Sequence, residues 1–178
     1  MPIEFYIAQG ISVLITIIAV LMMQFKSMTI ILLGQISANL LTATTYFLLG
    51  GLSGAGICFI AIIQTVTMFV YNRKKKTPHI ALILVFIALY IGCCIYYYQS
   101  IVDIFSALAA ITFALSIAQQ DSKKARIWYI FNPICWLIYS FFCQAYGNCI
   151  TYSIIFVSTL IAMIRVDDIF KLKSKNSQ

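Results

Sequence analysis

Gln35, Asn39, Thr42 and Tyr46 follow one another at i, i+4, i+7 and i+11 inside an uncharged run. That spacing puts all four on one face of a helix. A second uncharged run carries Trp128, Asn132, Cys135 and Tyr139, with Trp136 one turn beyond Asn132. Amides and hydroxyls held in an apolar layer are costly unless they meet a partner or a polar cavity. Two such faces could line a central cavity for a neutral polar solute. The amides of Asn39 and Asn132 would bond its hydroxyl or amide groups, and the indole of Trp136 would stack on a planar or sugar face. Gln64 and Thr65, and likewise Ser158 and Thr159, form smaller sets of the same kind. The same side chains could instead join helices by hydrogen bonds worth about 0.6 kcal/mol each, with no ligand involved. Both readings stay open here. Pro133, directly after Asn132, removes one helix hydrogen bond and bends its helix, and in a transporter such a bend is a hinge.

The elements that hold these residues follow from charge. Of 178 residues, 62% are hydrophobic and 10% charged, far from the roughly 25% charged residues of soluble chains. The uncharged runs are 5–25, 27–72, 77–102, 104–120 and 127–164. A transmembrane helix needs roughly 20 apolar residues, so 27–72 and 127–164 each hold two and the count is seven. Seven spans put all 12 Lys and Arg residues on one side: Lys26, the run Arg73-Lys74-Lys75-Lys76, Lys123, Lys124, Arg126, Arg165, Lys171, Lys173 and Lys175. Short loops keep their positive charge in the cytoplasm, so the amino terminus is expected outside and the carboxyl terminus inside. The outer side retains only Glu4 and Asp103. Tyr96, Tyr97 and Tyr98, and Tyr71, Trp128 and Tyr129 at the other ends, fit interfacial belts. Gly92, Ala107, Ala109 and Ala110 would permit close helix approach.

The chain also carries a faint internal repeat. Asn39 and Asn132, Tyr46 and Tyr139, and Gly54 and Gly147 are each 93 residues apart. Two uncharged turns, Gly50-Gly51-Leu52-Ser53-Gly54 and Gln144-Ala145-Tyr146-Gly147-Asn148, sit at matching places. The expected fold is therefore an all-α membrane protein of seven transmembrane helices in a 3+1+3 arrangement. Residues 1–72 and 100–165 form two parallel three-helix repeats, 73–99 a basic loop and linker helix, and 166–178 a cytoplasmic tail. Repeats related by an axis along the membrane normal are one of the arrangements common in transporters.

Several classes fall away. The net charge of +7 sits beside span ends, where it sets topology and meets anionic lipid, so nucleic acid is not an expected partner. No Asp, Glu, Lys or Arg lies at mid-depth and His79 belongs to a span end, which favours uncoupled, facilitated movement over ion-coupled pumping. The last span has no lysine for a retinal Schiff base. No catalytic constellation and no metal-ligand spacing is present, so neither an enzyme nor a cofactor is expected. Cys58, Cys93, Cys94 and Cys135 lie inside spans, while Cys143 and Cys149 flank an outer turn where an oxidising periplasm would permit a disulfide. Met1-Pro2-Ile3-Glu4 lacks the basic region of a cleaved signal, so the first span is expected to be retained.

Gln24-Phe25-Lys26-Ser27, Asn39-Leu40-Leu41, Tyr46-Phe47-Leu48-Leu49-Gly50 and Gly54-Ala55 together resemble the YgjV-like family of bacterial inner membrane proteins. That family is distantly similar to the SWEET and PQ-loop transporters and to the PnuC vitamin transporters. The resemblance implies the 3+1+3 plan, a multi-pass place in the bacterial cytoplasmic membrane, and a substrate cavity between the two three-helix units with Asn and Trp side chains contributing. Asn39, Asn132 and Trp136 are similar in kind. There is no Pro-Gln pair and no proline in spans one, two or five, so the resemblance does not extend to proline-based gating. The expectation is a small-solute transporter working by alternating access, with anionic lipid at its cytoplasmic face and self-association into a homo-oligomer permitted. The alternative is a receptor or assembly protein that uses the same fold without transporting.

Overall fold

The computed structural model describes residues 3–119 and 121–165. Gln120 and the tail at 166–178, with Lys171, Lys173 and Lys175, lie outside the described residues. The described residues form eight helical segments and no strand: α1 (Ile3–Met23), α2 (Met28–Leu48), α3 (Leu52–Arg73), α4 (Ile80–Tyr96), α5 (Asp103–Ile117), α6 (Ser122–Tyr129), α7 (Asn132–Phe142) and α8 (Tyr146–Arg165). Four of them, α1, α2, α3 and α8, are long and apolar enough to cross a membrane. The apolar α4 and α5 are shorter, at 17 and 15 residues. The sixth expected span is two helices. Pro133 has no N–H to donate and its ring crowds the carbonyl four residues back, so α6 stops at Tyr129 and α7 restarts with proline in its first turn. Ile130 and Phe131 between them keep right-handed helical angles, which makes the break a bend and not a loop.

Helix ends explain the tight connections. Gly50 has φ +77°, and the N–H groups of Gly50 and Gly51 close back on the carbonyls of Phe47 and Tyr46. This is the Schellman arrangement, which uses carbonyls the helix leaves free. Lys75 and Gln144 end α3 and α7 the same way at φ 52° and 56°, although neither is glycine. His79 and Asp121 cap α4 and α6 by accepting from the N–H of Ala81 and Lys123.

The principal packing closes a ring: α1 on α2, α2 on α3, α3 on α5, α5 on α7, α7 on α8 and α8 back on α1. Helix α4 packs outside this ring, against α3 and α5. Between α1 and α8 a ladder of hydroxyls replaces apolar packing. Ser12 donates to Asn148 Oδ1 (2.7 Å), Thr16 and Thr151 are hydrogen-bonded at 2.7 Å, and Gln24 donates to Ser158 Oγ (3.0 Å). Gly147 lets the two backbones meet, since a Cβ there would lie 2.9 Å from Ser12 Cβ. Gly92, expected at such a contact, faces open space, while Ala109 and Ala110 of α5 are buried. The outer surface of the ring is apolar, with Leu14, Leu40, Ile63, Leu84 and Ile161 among its exposed residues.

Two residues read as boundary markers turn inward. Arg126 is fully buried; its guanidinium donates to the carbonyls of Met23 and Phe25 and so secures the last turn of α1. Tyr129 is buried in the bundle, whereas its neighbour Trp128 faces out. An arginine can be buried when carbonyl acceptors meet its fixed fork of donors.

Candidate functional site

The polar face of α2 points into the ring. Gln35, Asn39 and Thr42 line a central cavity together with Asn132 and Trp136 of α7 and Tyr129 of α6. Its other walls are apolar, from α1 (Ile15, Ala19), α3 (Ile57, Ala61), α5 (Ala110, Phe113) and α8 (Ile155). The cavity measures about 30 Å³, room for two or three water-sized groups.

Donors and acceptors around it are unevenly used. Asn132 Nδ2 donates to the Ala109 carbonyl of α5 at 2.8 Å, which ties the α6–α7 bend to its neighbour. Gln35 Nε2 and Asn39 Nδ2 have no partner in the protein. Tyr129, which also lines the cavity, is buried beside them. Tyr152 of α8 is buried and lines the cavity as well.

Trp136 lies between two tyrosines. Its ring stacks on Tyr46 (centroids 5.4 Å, 20° between planes) and on Tyr152 (6.0 Å, 10°), and Tyr139 meets it edge-on at 5.6 Å. Trp136 thus lines the cavity from within an aromatic cluster. Tyr46 and Tyr139 meet edge-to-face at 5.4 Å, so the two tyrosines 93 residues apart touch. Tyr46 is also hydrogen-bonded to Ser140 at 2.8 Å. Gln64 lies elsewhere: it is buried between α3 and α4, where Tyr90 donates to its Oε1 at 2.6 Å. Thr65 is spent on the Ala61 carbonyl of its own helix.

A second polar cluster, at the far end of the bundle from Arg126, was invisible in the sequence. Asp103 begins α5 and is buried. Its Oδ2 accepts from the N–H groups of Gln99 and Ser100, both at 2.9 Å, and its Oδ1 accepts from Ser53 Oγ at 2.6 Å. Ser53 is bonded to the Tyr139 hydroxyl at 2.8 Å, and the Gly54 N–H donates to that hydroxyl at 3.0 Å. Each hydroxyl has one hydrogen, so the chain runs from Gly54 N–H to Tyr139 to Ser53 to the carboxylate. It joins α3, α5 and α7 and borders an open pocket of about 360 Å³ between the 49–53, 99–103 and 142–144 segments. Asp103 looked like a topology marker because its side-chain partner, Ser53, comes from a turn 50 residues away in the chain. A Cβ at Gly54 would lie 2.8 Å from the Tyr139 ring, which is why the tyrosine can reach this backbone. Cys143 and Cys149 near that pocket are free thiols.

Residues 6–168 match the family model Imp-YgjV, described as bacterial inner membrane protein. No curated protein and no solved structure matches the chain.

Proposed function

This chain belongs to the Imp-YgjV family of bacterial inner membrane proteins, and we propose that it is a small-solute transporter working by alternating access around the Asn39/Asn132 cavity. The observation that carries this reading is the pair of unpartnered amide nitrogens, Gln35 Nε2 and Asn39 Nδ2, held at a central cavity where all six ring helices meet. Buried donors left unmet are costly in a folded protein, and a retained cost of this kind is expected where a ligand supplies the partner.

The 3+1+3 plan is supported by the elements themselves. A shift of 93 lays α2 on α6 and α7 together, and α3 on α8, nearly end to end. The packing repeats in the same way: α1 against α8 corresponds to α5 against α3, and α4 stands apart as the linker. Helices α4, α5 and the bent pair α6–α7 complete seven spans, with Leu84, Val85, Leu108 and Phe141 exposed as lipid-facing residues. The connections bearing Lys26, Lys74–Lys76 and Lys123–Lys124 then lie on the cytoplasmic side beside anionic lipid, with the amino terminus outside. No ionisable carboxylate, lysine or arginine lines the central cavity, which supports an uncoupled facilitator of a neutral solute. Pro133 serves as the hinge, because only the second repeat is bent at the level of its asparagine.

The test is uptake by proteoliposomes from a panel of labelled neutral solutes. Asn132→Ala is expected to abolish uptake of the transported solute while leaving the protein folded, and normal uptake would remove the site assignment. One observation favours the alternative of a non-transporting receptor or assembly protein. The cavity of about 30 Å³ is well below the roughly 300–1,000 Å³ of ligand pockets. Spin labels at Leu52→Cys and Phe142→Cys, on opposite repeats, decide between them. Two distance populations support rocking; one narrow population supports the static bundle.

A further inference from the structure

From the hydrogen-bond inventory of the central cavity we infer the chemical class of its solute, an inference that rests on the transporter reading above: a very small neutral molecule with a carbonyl-type acceptor oxygen and a compact apolar body, such as a short amide, and not a polyol or a nucleobase. The cavity offers unpartnered donors on one wall only. Gln35 Nε2 and Asn39 Nδ2 sit one helical turn apart on α2, where side chains spaced i, i+4 are neighbours. Gln35 is 3% exposed, so its nitrogen has no route to bulk solvent. An oxygen with two lone pairs placed between these nitrogens accepts from both.

The Asn132 nitrogen is committed to the Ala109 carbonyl. The facing walls from Ile15, Ala19, Ile57, Ala61, Phe113 and Ile155 have no polar side chain. A polyol brings hydroxyls on every side, and those turned toward these walls would lose water without gaining a partner. A nucleobase is held largely by stacking, and Trp136, the indole at the cavity, already stacks with Tyr46 and Tyr152. An ion is disfavoured because no cavity side chain carries the opposite charge. Size points the same way, since a cavity of about 30 Å³ suits a solute of few heavy atoms.

Acrylamide is a direct probe, being a small neutral amide and a quencher of tryptophan fluorescence. The chain has 2 tryptophans, so Trp128→Phe leaves Trp136, at the cavity wall, as the sole reporter. In the full-length Trp128→Phe protein in detergent, quenching is expected to saturate with acrylamide. Adding Asn39→Leu, or independently Gln35→Met, is expected to raise the half-saturating concentration about tenfold, the loss of one good hydrogen bond. Two separate positions keep the test open if one variant fails to fold. Linear quenching, equal in all three proteins, overturns the inference. So does competition by glycerol or uracil in the parent protein that disappears with Asn39→Leu, although that result leaves the transporter reading standing. Saturable, Asn39-dependent quenching with no acrylamide-competed uptake in proteoliposomes supports the solute class and removes transport.

Discussion

Replacing Asn39 by leucine separates an amide kept for a ligand from one kept for structure, because the two cases predict shifts of opposite sign. The Asn39 nitrogen has no partner in the protein, and a buried donor left unmet costs about 1–3 kcal/mol. The residue as a whole is only half-buried, which places its cost near the lower end, about 1 kcal/mol. Leucine keeps the branched outline and heavy-atom count of asparagine, and its added methyl bulk falls at the cavity that residue 39 lines. For a chain of this length 1 kcal/mol corresponds to about 2–4 °C in Tm. Purified Asn39→Leu is therefore expected to melt about 2–4 °C above the parent in fluorescence-monitored unfolding, while losing solute binding. Asn132→Leu supplies the contrast from the equivalent position. Its nitrogen is bonded to the Ala109 carbonyl, so its removal is expected to cost about 1 kcal/mol and lower Tm by a similar interval. If Asn39 were interhelical glue, its replacement would forfeit about 0.6 kcal/mol and Tm would fall. A fall for Asn39→Leu refutes the reasoning.

Other consequences follow from the same geometry. Tyr139→Phe keeps the edge contact with Tyr46 but strips the Gly54 N–H of its side-chain acceptor and Ser53 of its donor while Ser53 still donates to Asp103, and a loss of about 1–3 kcal/mol should appear in thermal unfolding. Arg126→Gln removes the fork that holds the Met23 and Phe25 carbonyls and is expected to lower the yield of folded protein sharply, whereas Lys124→Gln at the same connection should leave it unchanged; size-exclusion recovery distinguishes them. Pro133→Ala restores the helix donor facing the Tyr129 carbonyl, so Tm should rise while initial uptake slows; faster uptake would exclude the bend as a hinge. Gln144→Gly relieves a left-handed backbone at the end of α7 and should stabilise by about 1 kcal/mol, read from the shift in Tm.

Some of this molecule was legible from one dimension. Long uncharged runs can bury their backbone only as helices, so the all-α fold and the membrane class follow from composition, and 3.6-residue periodicity is enough to place Gln35, Asn39 and Thr42 on one face. Element boundaries were legible where glycine or proline sets them, at Gly50 and Pro133. Periodicity names a face but not the neighbour that face meets, and neighbours decided the rest. Gln64 has the same residue type and a similar depth to Gln35, yet α4 packs over it and Tyr90 takes its oxygen. Tyr129 and Trp128 are adjacent aromatics at a helix end, and the bend before Pro133 turns the first inward and the second out. Trp136 lies at the cavity, and only the fold shows that Tyr46 and Tyr152 stack on it from α2 and α8. Asp103 and Arg126, both read as charges that mark a side of the membrane, became buried anchors once turns 50 and 103 residues away in the chain brought Ser53 and the Met23 carbonyl to them. Local sequence sets what each helix can offer; the closing of the ring, through contacts between residues far apart in the chain, sets which of those groups are satisfied and which are left without a partner.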